Sequence, residues 1–156
     1  MNIWIDADSC PQKVRNHTTI RAEKLNIPVT FVANKAIFGP KYAPFEMQIV
    51  ETQKDSADNY IIEHAQKGDL VITKDIIFAD RLLKEQIAVI NDRGKEFTSS
   101  NIKDALSDRD FDFQLAQIGL VKHYHEGYDQ KKFTAFANCL EKVITRLLTL
   151  HQGMPS

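Results

Sequence analysis

Apolar residues along the chain fall into short runs separated by stretches of helical spacing. Ile3-Trp4-Ile5 is the first run, and it predicts a buried strand ending at Asp6. From Pro11 to about Leu25 the pattern is helical, with Val14, Ile20 and Leu25 on one face and Lys13, Arg15, Arg21, Glu23 and Lys24 polar. Pro28 to Ala33 predicts a second strand, and Met47 to Val50 a third. Between them, 36–46 reads as irregular because Gly39, Pro40 and Pro44 interrupt any period. Glu51 to Asp55 is a polar turn, and Ser56 opens a helix that closes at Gly68. Asp69 to Thr73 predicts strand four, Ile76 to Lys84 a short helix, and Ile87 to Ile90 strand five. A turn at Asn91-Asp92-Arg93-Gly94 follows, then a helix from Thr98 to about Gln117 and a loop over 119–127. A long amphipathic helix from Asp129 to about His151 ends the pattern, with Phe133, Phe136, Leu140, Val143, Leu147 and Leu150 on its apolar side.

Strands that read as continuous apolar runs and alternate with helices belong to a sheet covered on both faces. The expected fold is a three-layer α/β/α domain over 1–152 with a mostly parallel sheet of about five strands. Residues 153–156 read as a frayed end. At 156 residues, one domain with a real core is the natural size. The helix from Asp129 is expected to cover the sheet or to form a homodimer seam.

Composition narrows the partners only slightly. The net charge of −1 gives no global attraction to nucleic acid or to a membrane, although a local basic groove remains compatible with it. No apolar run approaches the ~18 residues of a membrane helix, and the start shows no basic-then-apolar signal. Cys10 and Cys139 are expected to be free thiols in a reducing cytoplasm.

The candidate chemistry lies in the acids. In a parallel sheet, ligands bind at the carboxyl ends of the strands. Asp6 and Asp8 follow strand one, Asp58 opens the helix after strand three, and Asp75 follows strand four. If residues 6–8 stay extended, Asp6 and Asp8 share a side. Four carboxylates on one rim repel one another, and a divalent cation removes the conflict. Oxygen ligands without Cys or His favour Mg²⁺ or Mn²⁺ over Zn²⁺. Asp55 and Asp80 are lesser candidates. The competing structural roles are ordinary ones: Asp8 or Asp75 as a helix cap, and Asp58 as a charge at a helix start. Asn34, Thr73, Lys74 and Arg93 lie at the same rim as candidate phosphate-holding groups, with Gly94 allowing close backbone approach. Read singly, each of these is a solvated surface residue.

Several stretches together carry a family resemblance. They are WIDADSCP (4–11), VAN (32–34), DSADNYIIEHAQKGDLVITKDIIFA (55–79), DRG (92–94), Phe97-Thr98 with Asn101-Ile102, and FANCLEKV (136–143). Over nearly its whole length the chain resembles the YaiI/YqxD family, also called UPF0178 or DUF188. The family is grouped with PIN-like nucleases, so the resemblance implies a PIN-like fold and a metal-dependent nuclease; with the acidic rim and its phosphate-holding candidates, the expected activity is a phosphodiesterase acting on RNA or single-stranded DNA. By that likeness Asp6, Asp58 and Asp75, with Asp8 beside them, match metal-binding acids. The chain departs from the family pattern at Asp92, where proline is usual, at Ile76-Ile77-Phe78, and near 123–128, where a Gly-Pro pair is usual.

Other chemistries fit less well. A haloacid-dehalogenase-type phosphatase would use Asp6 as nucleophile, but it needs a later Lys with paired acids, and Lys74-Asp75 supplies one acid. A cysteine phosphatase loop needs five residues between Cys and Arg, and Cys10 to Arg15 encloses too few. His123 and His125 have no partner motif for a metal. A non-catalytic metal- or RNA-binding domain is the remaining alternative.

Overall fold

The computed structural model describes residues 1–37, 44–53, 55–120 and 127–152. The 123–125 histidines and 153–156 lie outside the described residues, as does most of the irregular 36–46 stretch. Six strands form one sheet in the order β3-β2-β1-β4-β5-β6. They are β1 (Ile3–Asp6), β2 (Val29–Ala33), β3 (Glu46–Ile49), β4 (Leu70–Ile72), β5 (Ala88–Ile90) and β6 (Glu96–Phe97). The first five run parallel, and β6 returns antiparallel along β5. The helices are α1 (Gln12–Lys24), α2 (Ser56–His64), α3 (Ile76–Lys84), α4 (Ile102–Gln117) and α5 (Gln130–Gln152).

Side-chain alternation divides the core into two layers. Ile3, Ile5, Phe31, Leu70, Ile72 and Ile90 pack with Val14 and Ala22 of α1 and with Phe136, Leu140, Val143 and Ile144 of α5. Trp4, Val32, Val71 and Val89 face the other way, against Ile61 of α2, Phe78 and Leu82 of α3, and Ile102 of α4. Each fully buried Ile, Leu or Phe contributes about 1.5–3 kcal/mol by leaving water. The α/β/α expectation is therefore met, and the apolar face of α5 covers the sheet.

Three details differ from the sequence reading. The sheet has a sixth strand, because two residues between a turn and Thr98 are too few to show a period. Helix α4 begins at Ile102, not Thr98. Thr98 and Asn101 bond reciprocally, Thr98 N to Asn101 Oδ1 at 2.8 Å and Asn101 N to Thr98 Oγ1 at 3.3 Å, and this closes a turn before the helix. Residues after Asp6 are not extended. Ala7–Ser9 form a single 3-10 turn, so the alternation that would place Asp6 and Asp8 on one side does not apply.

Candidate functional site

Strands β1 and β4 are neighbours, yet the chain leaves β1 toward β2 and later enters β4 on the opposite flank. At such a divergence the loops part and leave a crevice at the carboxyl ends. Asp6 has the parity of Trp4, so its side chain emerges on the α2–α3 side of the sheet. The register pairs Ile5 with Ile72, which puts Thr73 level with Asp6. The Thr73 hydroxyl donates to Asp6 Oδ2 at 3.0 Å across the divergence, and its oxygen accepts from the Asp75 N–H at 3.2 Å. Ser9, at the end of the 3-10 turn, donates to the same Asp6 oxygen at 3.4 Å.

The other acids are held by different elements. Asp8 Oδ2 accepts from the backbone N–H of Asn34, just past β2, at 2.8 Å. Asp75 caps α3, its Oδ1 accepting from Ile77 N at 3.0 Å and Phe78 N at 3.2 Å. The capping role expected for Asp75 is thus present. Asp58 sits in the first turn of α2, is 9% exposed, and makes no side-chain hydrogen bond among the described residues. A shared pattern emerges. Asp6, Asp8 and Asp75 each tie one carboxylate oxygen to the scaffold, and among the described residues the other oxygen takes no hydrogen bond.

Asp8, Asp58 and Asp75 line one pocket of about 190 Å³, together with Asn34, Glu51 and Asp55. Asp6 does not line it; Asp6 borders a smaller void beside it with Ser9, Cys10, Lys74 and Asp92. The carboxylates nevertheless act on one another. Burial raises the Asp6 carboxyl, the Thr73 hydrogen bond opposes this, and Asp8 and Asp75 raise it further. Burial pushes the Asp58 carboxyl up to about 7, and Asp6, Asp75 and Asp55 add repulsion that Arg81 only partly offsets. None of these four acids forms an ion pair among the described residues.

This donor set fits a hard divalent cation. It offers only oxygen, it carries excess negative charge, and a scaffold hydrogen bond orients three of its members. It is not a finished cage: among the described residues, no three His, Cys, Asp or Glu side chains are already gathered around one point. Glu51 and Asp55 enlarge the acidic wall. Asp55 was a lesser candidate in the sequence, and Glu51 gave no signal because it lies in a polar turn. Asp80 is not in this pocket; it pairs with Lys84 on α3 at 3.1 Å.

The phosphate-holding candidates separate. Asn34 lines the acidic pocket. Thr73 is 3% exposed and spends its hydroxyl on Asp6 and on the Asp75 N–H, so it positions carboxylates. Lys74 and Arg93 line a second cleft, between the 91–95 turn and α4. Gly94 serves packing against α5. Its φ is +86°, and a Cβ there would lie 2.5 Å from the backbone carbonyl of Ala135. Sequence reasoning missed Asp92, which is 6% exposed, with Oδ1 buried and without a hydrogen-bond partner among the described residues. Its only sequence signal was the departure from proline. Cys10 and Cys139 are both free. Burial drives the Cys10 thiol far above its ordinary value, with Asp92 adding to it, so Cys10 is a packed neutral thiol.

A six-stranded sheet with a divergence crevice and an acidic pocket at its carboxyl edge defines an α/β/α protein with a candidate metal site. Comparison with known proteins gives the lineage. The DUF188 model, described as "Uncharacterized BCR, YaiI/YqxD family", matches residues 4–146, and the chain belongs to that family. A UPF0178 protein of Treponema denticola is 40% identical over 148 residues, covering 95% of this chain and 94% of that one. A UPF0178 protein of Pseudomonas putida is 38% identical, covering 94% of this chain and 98% of its own. One from Pseudomonas aeruginosa is 37% identical, covering 94% and 92%. No solved structure matches the chain. Among the described residues, no helix is long and apolar enough to cross a membrane.

Proposed function

We propose that this protein is a Mg²⁺- or Mn²⁺-dependent phosphodiesterase that cleaves RNA or single-stranded DNA, a PIN-like nuclease in class. One observation carries the reading. Three carboxylates from the ends of β1 and β4 and the turn after β1 each fix one oxygen to the backbone or a hydroxyl and, among the described residues, leave the other unbonded, beside a fourth whose carboxyl is raised to about 7. A structural role alone would not gather unpaired acids, because their repulsion destabilises the fold.

In this reading Asp6 and Asp75 are direct metal ligands. Asp8 and Asp58 hold a second ion or orient the attacking water. When bound, the cation supplies Lewis acidity and lowers the pKa of water. The protein's own groups do the rest. Thr73 holds Asp6 and the start of α3 in register, which fixes the Asp6 carboxylate relative to the Asp75 backbone. Asn34 and Lys74 are placed to contact phosphate oxygens on either side of the carboxylates. Water adds to phosphorus and gives its proton to a carboxylate of the set, and the bond to the leaving oxygen breaks, that oxygen taking a proton from solvent to leave as an alcohol. The proposal includes a cytoplasmic location, which fits two free thiols, and leaves homodimerisation as a secondary element.

The test is cleavage of labelled single-stranded RNA and DNA with Mn²⁺, wild type beside Asp6→Asn and Asp75→Asn. Cleavage by wild type that both variants lose supports the reading. Cleavage unchanged in both variants removes the catalytic role. Metal binding without cleavage of either polymer favours a non-catalytic metal- or RNA-binding domain. Turnover of a small phosphomonoester, with a phosphorylated Asp6, favours the phosphatase chemistry instead.

A further inference from the structure

We propose that the second cleft, between the 91–95 turn and α4, binds one nucleotide unit of a single strand whose backbone continues out of the acidic pocket. This rests on the phosphodiesterase reading and adds to it a subsite for the nucleotide next to the cleaved bond.

The two clefts meet at consecutive residues: Asp75 lines the acidic pocket and Lys74 lines the cleft. A strand with one phosphate at the acids therefore has its next unit at Lys74. Four cationic side chains line the cleft, Lys74, Arg93, Lys95 and Arg109, whereas none of the described residues lining the acidic pocket is cationic. All four are exposed, and among the described residues none is in an ion pair. Their charge is therefore available to a ligand.

The turn presenting two of them is built rigidly. Asn91 Oδ1 accepts from Arg93 N at 3.0 Å and from Lys95 N at 2.9 Å, and Asn91 N donates to Lys95 O at 2.9 Å. Gly94 is wedged against Ala135 of α5. Lys95 lies 5.7 Å from the centre of the Phe97 ring, which supports the ammonium without neutralising it. A preorganised turn loses little freedom on binding.

Three acids share the lining, Asp92, Asp108 and Asp112. A cleft for a bare anion would not keep them. A nucleotide presents both charges' complements, phosphate oxygens for the cations and base amino groups for carboxylates. The cleft volume of about 370 Å³ is in the range of sites for one small ligand. A duplex carries its phosphates on a rigid cylinder and does not enter such a concavity.

The test is fluorescence anisotropy with labelled oligocytidine and oligodeoxycytidine, whose bases carry the amino group, in Ca²⁺ to limit turnover, with Lys95→Glu, Arg109→Glu and the double variant. Lys84→Glu, at the far end of α3, is the control, and Lys95→Gln serves if a charge reversal unfolds. The double variant is expected to weaken single-strand binding about tenfold or more and to lower the salt slope by about 0.7 for each phosphate it no longer neutralises. Mn²⁺ binding is expected to stay as in wild type, and a duplex of the same length to bind weakly. Arg109→Lys is expected to retain binding. Unchanged oligonucleotide affinity in the double variant overturns the cleft, as does equal weakening by Lys84→Glu or a preference for duplex. If the cleft variants lose binding while wild type never cleaves, the cleft stands and the phosphodiesterase reading falls. If Asp6→Asn abolishes cleavage while the double variant leaves KM unchanged, the reverse holds.

Discussion

Replacing Asp58 by Asn is expected to stabilise the metal-free protein at high pH and to do nothing at low pH. In the folded state burial and three neighbouring carboxylates raise this carboxyl from 3.8 to about 7. A group that holds its proton more tightly when folded favours folding while protonated. That advantage is lost as pH rises from the unfolded value, near 4, through the folded value. Below pH 4 both states carry the proton, so Asp and Asn are equivalent. Above pH 7 the wild type holds a buried charge among like charges, and Asn does not. Moving a carboxyl from 3.8 to about 7 costs the folded state at most about 4 kcal/mol. Water reaching the pocket screens part of the repulsion, so about 2 kcal/mol is the working figure. For a chain of this size, that is a melting temperature higher by about 4–8 °C. The assay is thermal unfolding in EDTA from pH 4 to pH 8.5, wild type beside Asp58→Asn. The gain should grow between pH 4 and 7 and then level off. A variant equally stabilised at every pH, or less stable than wild type at pH 8, would refute the electrostatic origin. Mn²⁺ at a hundredfold excess over the wild-type Kd should then stabilise the wild type by about 2.7 kcal/mol and the variant by less.

Asp75 has two roles that substitutions separate. Asp75→Asn should keep the α3 cap and change stability by less than about 0.5 kcal/mol while weakening Mn²⁺ binding in calorimetry, whereas Asp75→Ala should lose both, at about 1 kcal/mol in urea unfolding. Thr73→Val removes the donor to Asp6 and the acceptor for Asp75 N–H, and should cost about 1–3 kcal/mol in the same urea assay. Gly94→Ala puts a Cβ 2.5 Å from backbone atoms of Ala135 in an unfavourable φ, and a loss of more than about 2 kcal/mol is expected in urea. An unchanged midpoint in either of these two would contradict the interaction concerned.

Much of this architecture was legible in the sequence because each buried strand is a short apolar run with a polar group at its end. Ile3–Ile5 with Asp6, and Leu70–Ile72 with Thr73, show it most plainly. That Asp58 and Asp75 lie at one edge of the sheet followed from the parallel rule; that Asp6 borders a different void from their pocket did not. What was hidden depends on geometry that a linear pattern does not carry. The 3-10 turn at Ala7–Ser9 rotates Asp8 away from the extended register, and Asn34 N–H, a partner 26 residues away, decides where its carboxylate rests. Thr73 looked like a phosphate ligand because its burial is set by the β1–β4 register. Lys74 and Asp75 are adjacent in sequence yet face different clefts, which only the start of α3 determines. Asp92 was invisible as a buried acid because the residues around it, Asn91 and Arg93, are those of an exposed turn.

The most direct measurement of the central claim is Mn²⁺ titration by calorimetry at pH 7.5, wild type beside Asp6→Asn, with unfolding curves to show that both are folded. Saturable binding by wild type that Asp6→Asn weakens at least about tenfold is the expected result, since the variant removes a carboxylate ligand from a hard cation. Equal affinity in the two proteins, or no saturable binding by wild type, would contradict a metal centre at this edge of the sheet.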